Sequence, residues 1–200
     1  MYRRSYIIIT RKKKTVLFIL ISFIGLAVVP VFGQTGEIPR SMIQFAENEL
    51  IQFSSKPEIV HAVQEQNNRG LTLERIKAVD KTWSAYDGIN RFMMDKISNE
   101  CALELWNFQL DHRYILEIFV MDNQGANVGQ TNKTSDYWQG DEAKFTGSFN
   151  NGSGAIHYGE PEYDASADEL IIQISVPVMS GGRAVGAATY GISLDGWERR

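Results

Sequence analysis

A single cysteine, Cys101, stands in 200 residues. No intramolecular disulfide can close, and no cluster of thiolates can hold a metal. Histidine is almost as scarce, and His61, His112 and His157 lie far apart without metal-ligand spacing. There is no Gly-x-Ser-x-Gly nucleophile turn, no His-Glu-x-x-His and no phosphate-cradling glycine loop ahead of a helix. Asp136 and Glu160 would make a carboxylate pair on paper, but nothing in the sequence brings them together. The expectation is a protein without catalysis, resident metal or cofactor. Beyond residue 33 there is also no apolar run long enough to span a membrane.

Basic residues are unevenly spread. Of 20, six (Arg3, Arg4, Arg11, Lys12, Lys13 and Lys14) fall in residues 1–33, where there is no acid. The remaining 14 face all 24 acidic side chains. An acidic body argues against nucleic acid, because phosphate contacts need clustered Lys and Arg.

Residues 1–33 read as an export signal: a basic start, the apolar stretch from Val16 to Val29, then Pro30 and the small residue Gly33. The alternative is an uncleaved anchor, since Val16 to Phe32 is 17 residues, the low end of spanning length. The remainder is therefore expected to be periplasmic or secreted, or tethered to the inner membrane at its N-terminus and facing the periplasm. Residues 38–195 are expected to form one domain.

Helical periodicity comes first along that domain. Ile43, Ala46, Leu50 and Phe53 recur at three- and four-residue steps, which predicts a helix from Pro39 to about Phe53. Ser55 and Glu58 have capping-box spacing, with Pro57 in the first turn of a second helix. Thr72 is placed to cap a third, carrying Leu73, Ile76, Val79 and Trp83. A fourth is expected from about Asn90 to Leu110, with Cys101 packed inside it as a small hydrophobe.

At His112-Arg113 the period shifts to about two, and five strands are expected from there on. They run at Tyr114–Met121, Ala126–Thr131, Ala155–Glu160, Glu169–Val178 and Ala184–Leu194. Turn residues follow the first at Asp122-Asn-Gln-Gly125 and precede the last at Ser180-Gly-Gly-Arg183. Helices gathered before an antiparallel sheet make an α+β fold.

Residues 134–145, Thr-Ser-Asp-Tyr-Trp-Gln-Gly-Asp-Glu-Ala-Lys-Phe, stand out in this plan. The stretch is too polar for core and too aromatic for ordinary linker. Tyr137 and Trp138 offer aromatic walls with polar tips, although an extended chain would turn only one of them toward a given pocket. Equally, one of them plugs the end of the domain. Asp136 and Lys144 are candidates for orienting a ligand: carboxylates would suit a cationic head group, and Lys144 an acid. Asp141 and Glu142 read more simply as a solvated helix start.

Further candidates lie on the strands. Phe119 and Met121 share one face of the first strand with Glu117, and His157 follows the aromatic segment. Tyr190 stands among the small residues Ala187, Ala188, Thr189 and Gly191, where it is either a pocket floor or a core filler.

The order of these features resembles a known family. It runs from an N-terminal helical region through Ile118-Phe-Val-Met-Asp122-Asn-Gln-Gly125 and Thr134-Ser-Asp-Tyr-Trp-Gln-Gly140. Ser175-Val-Pro-Val178, a Gly-Gly turn and Val185-Gly-Ala-Ala-Thr-Tyr-Gly191 complete it. This order is similar to the Cache family of extracellular PAS-like sensor domains, of the single-domain kind, over residues 38–195. The resemblance implies a PAS-like antiparallel sheet of about five strands preceded by helices. It also implies a sheet floor and crossing loops that close over amino acids, carboxylates or similar small molecules.

Typical members continue into a transmembrane helix and a cytoplasmic module, whereas this sequence ends at Arg200. The expectation is a free-standing sensory domain that binds a small organic ligand (amino acid, amine or carboxylate) and signals through a separate membrane receptor or kinase. The alternative is an interaction module without ligand, including a homodimer.

Overall fold

The computed structural model describes residues 38–165 and 168–200. The expected leader, residues 1–33, lies outside them. Among the described residues no helix is long and apolar enough to cross a membrane.

The first helix runs as α1 (Arg40–Phe45), a π-helical turn (Ala46–Leu50) and α2 (Ile51–Ser54), all on one axis. The second, α3 (Pro57–Asn68), does not begin with the expected capping box. Lys56 is its N-cap without a side-chain bond, because the Ser55 hydroxyl accepts instead from the Met179 amide at 3.2 Å. The tertiary bond satisfies an amide of the sheet, and the proline at the start of α3 leaves one helical amide fewer to cap. Thr72 does cap α4 (Leu73–Ala85), accepting from the Arg75 amide.

The expected fourth helix is two, α5 (Arg91–Ser98) and α6 (Glu100–Asp111). Asn99 separates them. Its side chain accepts from the Ala102 amide at 2.9 Å, and an asparagine gains more as a cap than inside a helix.

β1 (Ile115–Met121), β2 (Asn127–Gln130), β3 (His157–Tyr158), β4 (Glu162–Asp164), β5 (Glu169–Ser180) and β6 (Arg183–Ser193) form one antiparallel sheet. The order is β2-β1-β6-β5-β3, and β4 pairs with another stretch of β5. With the helices ahead of it, this is the expected α+β, PAS-like arrangement. The expected strand at Ala155–Glu160 shrinks to two paired residues. β5 and β6 are joined by Gly181 and Gly182, both at positive φ (57° and 78°), the geometry a tight hairpin requires. α7 (Ala143–Phe149) lies on one face, and α8 (Leu194–Glu198) ends the chain.

The two faces differ. Against one, α1, α2, α3 and α6 bury the main core, including Met42, Leu50, Ile59, Val63, Leu105, Ile118, Val120, Ile174, Val176 and Tyr190. Cys101 belongs to it, and burial pushes its thiol up to about 12. On the other face Phe119, Met121 and Ala187 pack with Phe145 and Phe149 of α7.

A third cluster lies toward α4 and α5: Ile76, Trp83, Met93, Ala126 and Tyr137. A buried relay supports it. Lys96 donates to Gln66 Oε1 at 2.8 Å, and Gln66 donates to Asp122 Oδ2 at 2.9 Å. Burial pushes the Lys96 ammonium down, and through Gln66 it faces a compensating carboxylate.

Candidate functional site

The segment at 134–139 is held along the outer edge of β2. Asn127 donates its amide to the Tyr137 carbonyl at 3.0 Å, and Gln139 donates to Gly125 at 2.8 Å. From the other side Asp80 of α4 accepts both the Tyr137 and the Trp138 amides, at 2.8 and 3.0 Å. Trp83 Nε1 donates to the Thr134 carbonyl at 2.8 Å. The segment is therefore stapled to α4.

This placement separates the aromatic candidates. Tyr137 sits where the plug reading puts it: it is buried, its ring 5.6 Å from Trp83 and 5.3 Å from Phe92. Burial raises the pKa of its hydroxyl. It fills the third cluster because the pairing beside β2 turns its side chain toward α4. Trp138 is half-buried, with Nε1 bonded to the Gln124 carbonyl and Lys77 Nζ 4.3 Å from its ring. Asp136 is half-buried too and accepts from Ser84 and Ser135. Both line an open cleft of about 560 Å³ with Lys77, Asp80, Asp141 and Glu142.

Tyr190 takes the core-filling place of its two expected ones. It is fully buried on the helix-packed face, and its hydroxyl lies 2.6 Å from Ser54 Oγ. The small residues beside it do not make room for a ligand next to Tyr190. Alternation sends its ring to the opposite face from Ala187, Thr189 and Gly191, and Ala188, on its own face, is buried in the same core.

Phe119, Met121, Lys144 and His157 all lie on the α7 face: Phe119 and Met121 are packed beneath Phe145 and Phe149, and Lys144 and His157 line a cleft toward β3. Strand register places Gln130, Phe119, Thr189, Ser175 and His157 in one row across the sheet. The next row is Glu117, Gly191 and Gln173. Glu117 fits because Gly191 has no side chain: a Cβ there would stand 2.6 Å from Glu117 Cγ. The carboxylate thus lies across β6 and accepts from Gln173 Nε2 at 2.9 Å. Burial raises the Glu117 pKa, and the Gln173 bond and the Lys144 charge oppose that rise.

Ser175 and Thr189 hydrogen-bond each other at 2.8 Å. Lys144 Nζ is 5.5 Å from the Phe119 ring centre and pairs with Glu142 at 2.9 Å. The His157 ring lies against Gly147 of α7, where a Cβ would approach its Nδ1 to 2.9 Å. Between α7 and β3 opens a cleft of about 380 Å³, walled by Glu142, Lys144, His157, Glu160, Glu162 and Gln173 among others.

This face carries polarity that a packed core would not. Asn127 Oδ1, Gln130 Nε2 and Ser148 Oγ are buried without a hydrogen-bond partner among the described residues. Asn127 and Gln130 pair in register with Met121 and Phe119, which puts them on this same face. Buried polar atoms are normally paired, and leaving one unmet costs about 1–3 kcal/mol.

Sequence reasoning passed over Asp80, Gln130, Ser148, Gln173, Ser175 and Thr189. For β5 the signal was present: Gln173 and Ser175 alternate with Ile172, Ile174 and Val176, a period of two with a polar side. For Asp80 and Ser148 there was none, since both look like ordinary exposed helix positions.

No family model and no curated protein matches the chain. Among solved structures it is similar to the sensor domain of the V. cholerae histidine kinase DctB, with a TM-score of 0.44 and 12% identity over 80% of this chain. It is also similar to the ligand-binding domain of the Pseudomonas aeruginosa PAO1 amino acid chemoreceptor PctC in complex with GABA (TM-score 0.40, 14% identity, 76% of this chain). A third is the ligand-binding domain of the Campylobacter jejuni chemoreceptor Tlp3 in complex with 4-methylisoleucine (TM-score 0.38, 13% identity, 75% of this chain). The chain spans 51% of the first of these and 62% of the other two. All three are sensor or ligand-binding domains; likeness of this degree does not decide what this chain binds.

Proposed function

We propose that the chain is an extracytoplasmic sensory domain of the single Cache type, binding a small organic molecule between the sheet and α7. The reading rests on one observation: the α7 face carries a row of polar side chains, Gln130, Thr189, Ser175 and His157, that runs across the sheet to a cleft of about 380 Å³ between α7 and β3. A few placed polar groups in an otherwise apolar concavity are the usual make-up of a small-molecule site. Lys144 and His157 supply its walls and Gln173 its floor, while Phe119 and Met121 are packed beneath α7. Asp136 and Trp138 belong to the neighbouring cleft across Glu142 and act from there.

Binding, not catalysis, is the role assigned. The ligand class is that of amino acids, amines or carboxylates. Residues 1–33 deliver the domain to the periplasm or the exterior, as a cleaved leader or an anchor, and a membrane receptor or kinase receives its state.

The test is thermal unfolding against a panel of such compounds. A ligand at a hundredfold excess over its Kd stabilises the folded state by about 2.7 kcal/mol, and the unfolding midpoint rises accordingly. An unmoved midpoint across the whole panel overturns the reading.

A second reading, an interaction module, is favoured by one feature. Leu103, Trp106 and Leu110 lie exposed along one side of α6, at the spacing of a single helix stripe. A mass in solution that rises with concentration, together with an unmoved panel, would select it.

A further inference from the structure

Resting on the binding site proposed above, we infer that its ligand is a protonated amine carrying no balancing carboxylate. The charges around the cleft decide this. Glu142, Glu160 and Glu162 stand in its wall, with Lys144 and His157. Glu117 lies behind Gln173, which lines the cleft. Lys144 is already committed to Glu142 at 2.9 Å.

Glu117 receives a single hydrogen bond, from Gln173, and no lysine or arginine reaches it within 4.0 Å among the described residues. Asp164 adds negative potential from β4. A carboxylate ligand entering this cleft meets Glu160 and Glu162 in the wall and a Lys144–Glu142 pair whose charges cancel. A zwitterion gains at one end what it loses at the other. An ammonium supplies the positive charge that Glu117, Glu160 and Glu162 lack, and its three donors suit their oxygens.

The floor is shaped for this. Gly191 lets the Glu117 stem lie flat across β6, where it meets Gln173 of the cleft lining. The cavity is near the small end of ligand sites, so a short amine is the fitting size.

Titration calorimetry and thermal unfolding of the full chain test the inference. The probes are ethanolamine, choline and 1,4-diaminobutane, set against acetate, propionate and alanine. The expected result is that amines bind and raise the midpoint, and the acids and alanine do not. Glu117→Gln should weaken amine binding by at least about tenfold, the worth of a hydrogen bond to a charged group. Glu160→Gln and Glu162→Gln should weaken it less.

If acids or alanine bind and amines do not, the inference is overturned and the binding-site reading stands. Amine binding untouched by all three substitutions places the amine elsewhere and overturns it as well. If no probe and no wider panel binds, the binding-site reading itself falls.

Discussion

At the scale of single residues, the most informative group is Glu117. Its carboxyl sits above the ordinary value of 4.5, with burial the leading cause. The native state therefore holds the proton more tightly than the unfolded chain does. Stability from the protonated form is complete below the ordinary value and is lost as pH rises through the raised one. Glu117→Gln removes that cost, so the variant should have the higher midpoint at neutral pH, by a few degrees. The advantage should vanish below about pH 4, where both side chains are neutral. Calorimetric scans at a series of pH values give both halves.

Tyr190 is the opposite case, a polar group already paired. Tyr190→Phe leaves the Ser54 hydroxyl buried alone and should cost about 2 kcal/mol in denaturant unfolding. Adding Ser54→Ala should return part of that loss, since no polar group then remains unmet. The sequence placed Tyr190 among small residues correctly but could not say which face it took. That choice follows from pairing register, a relation between distant strands.

Among the elements, α4 turns out to govern the aromatic segment. Asp80 holds two successive amides of residues 137 and 138, so the segment's backbone follows α4. Asp80→Ala should destabilise the chain by about 2 kcal/mol in urea titration. The Trp83–Tyr137 pair should loosen with it, visible as a change in tryptophan emission. The third helix and its Thr72 cap were legible from periodicity and local chemistry. The break at Asn99 was legible only in part, because capping competes with helix continuation at a single residue. The fate of Ser55 was not legible, because its partner is Met179, 124 residues away. Local rules found most of the elements; they missed the bonds that one element makes to another.

For the whole molecule, the paired hairpin of β5 and β6 is flanked on one side by the main core and on the other by α7. The third cluster is small and depends on Asp80, the Trp83 bond and the Lys96 relay. Native-state hydrogen exchange should therefore find the slowest amides in β5 and β6, and much faster opening in α4 and α5. Asp80→Ala should accelerate the second group while leaving the first nearly as slow. The general plan, helices before an antiparallel sheet, could be read from the change in hydrophobic period at residues 112–113. The polar face could not, because Gly191, Glu117 and Gln173 acquire meaning only side by side.

One more consequence follows from the rings at the base of the sheet. Trp197 of α8 stacks edge-on to Tyr114 at 4.9 Å and meets Phe45 of α1 at 5.3 Å. α1 and α8 are therefore riveted to each other through three aromatic rings. Tension applied at either helix is carried across that rivet as shear, bypassing the sheet. Only a load that parts the rings would reach β1 and β6.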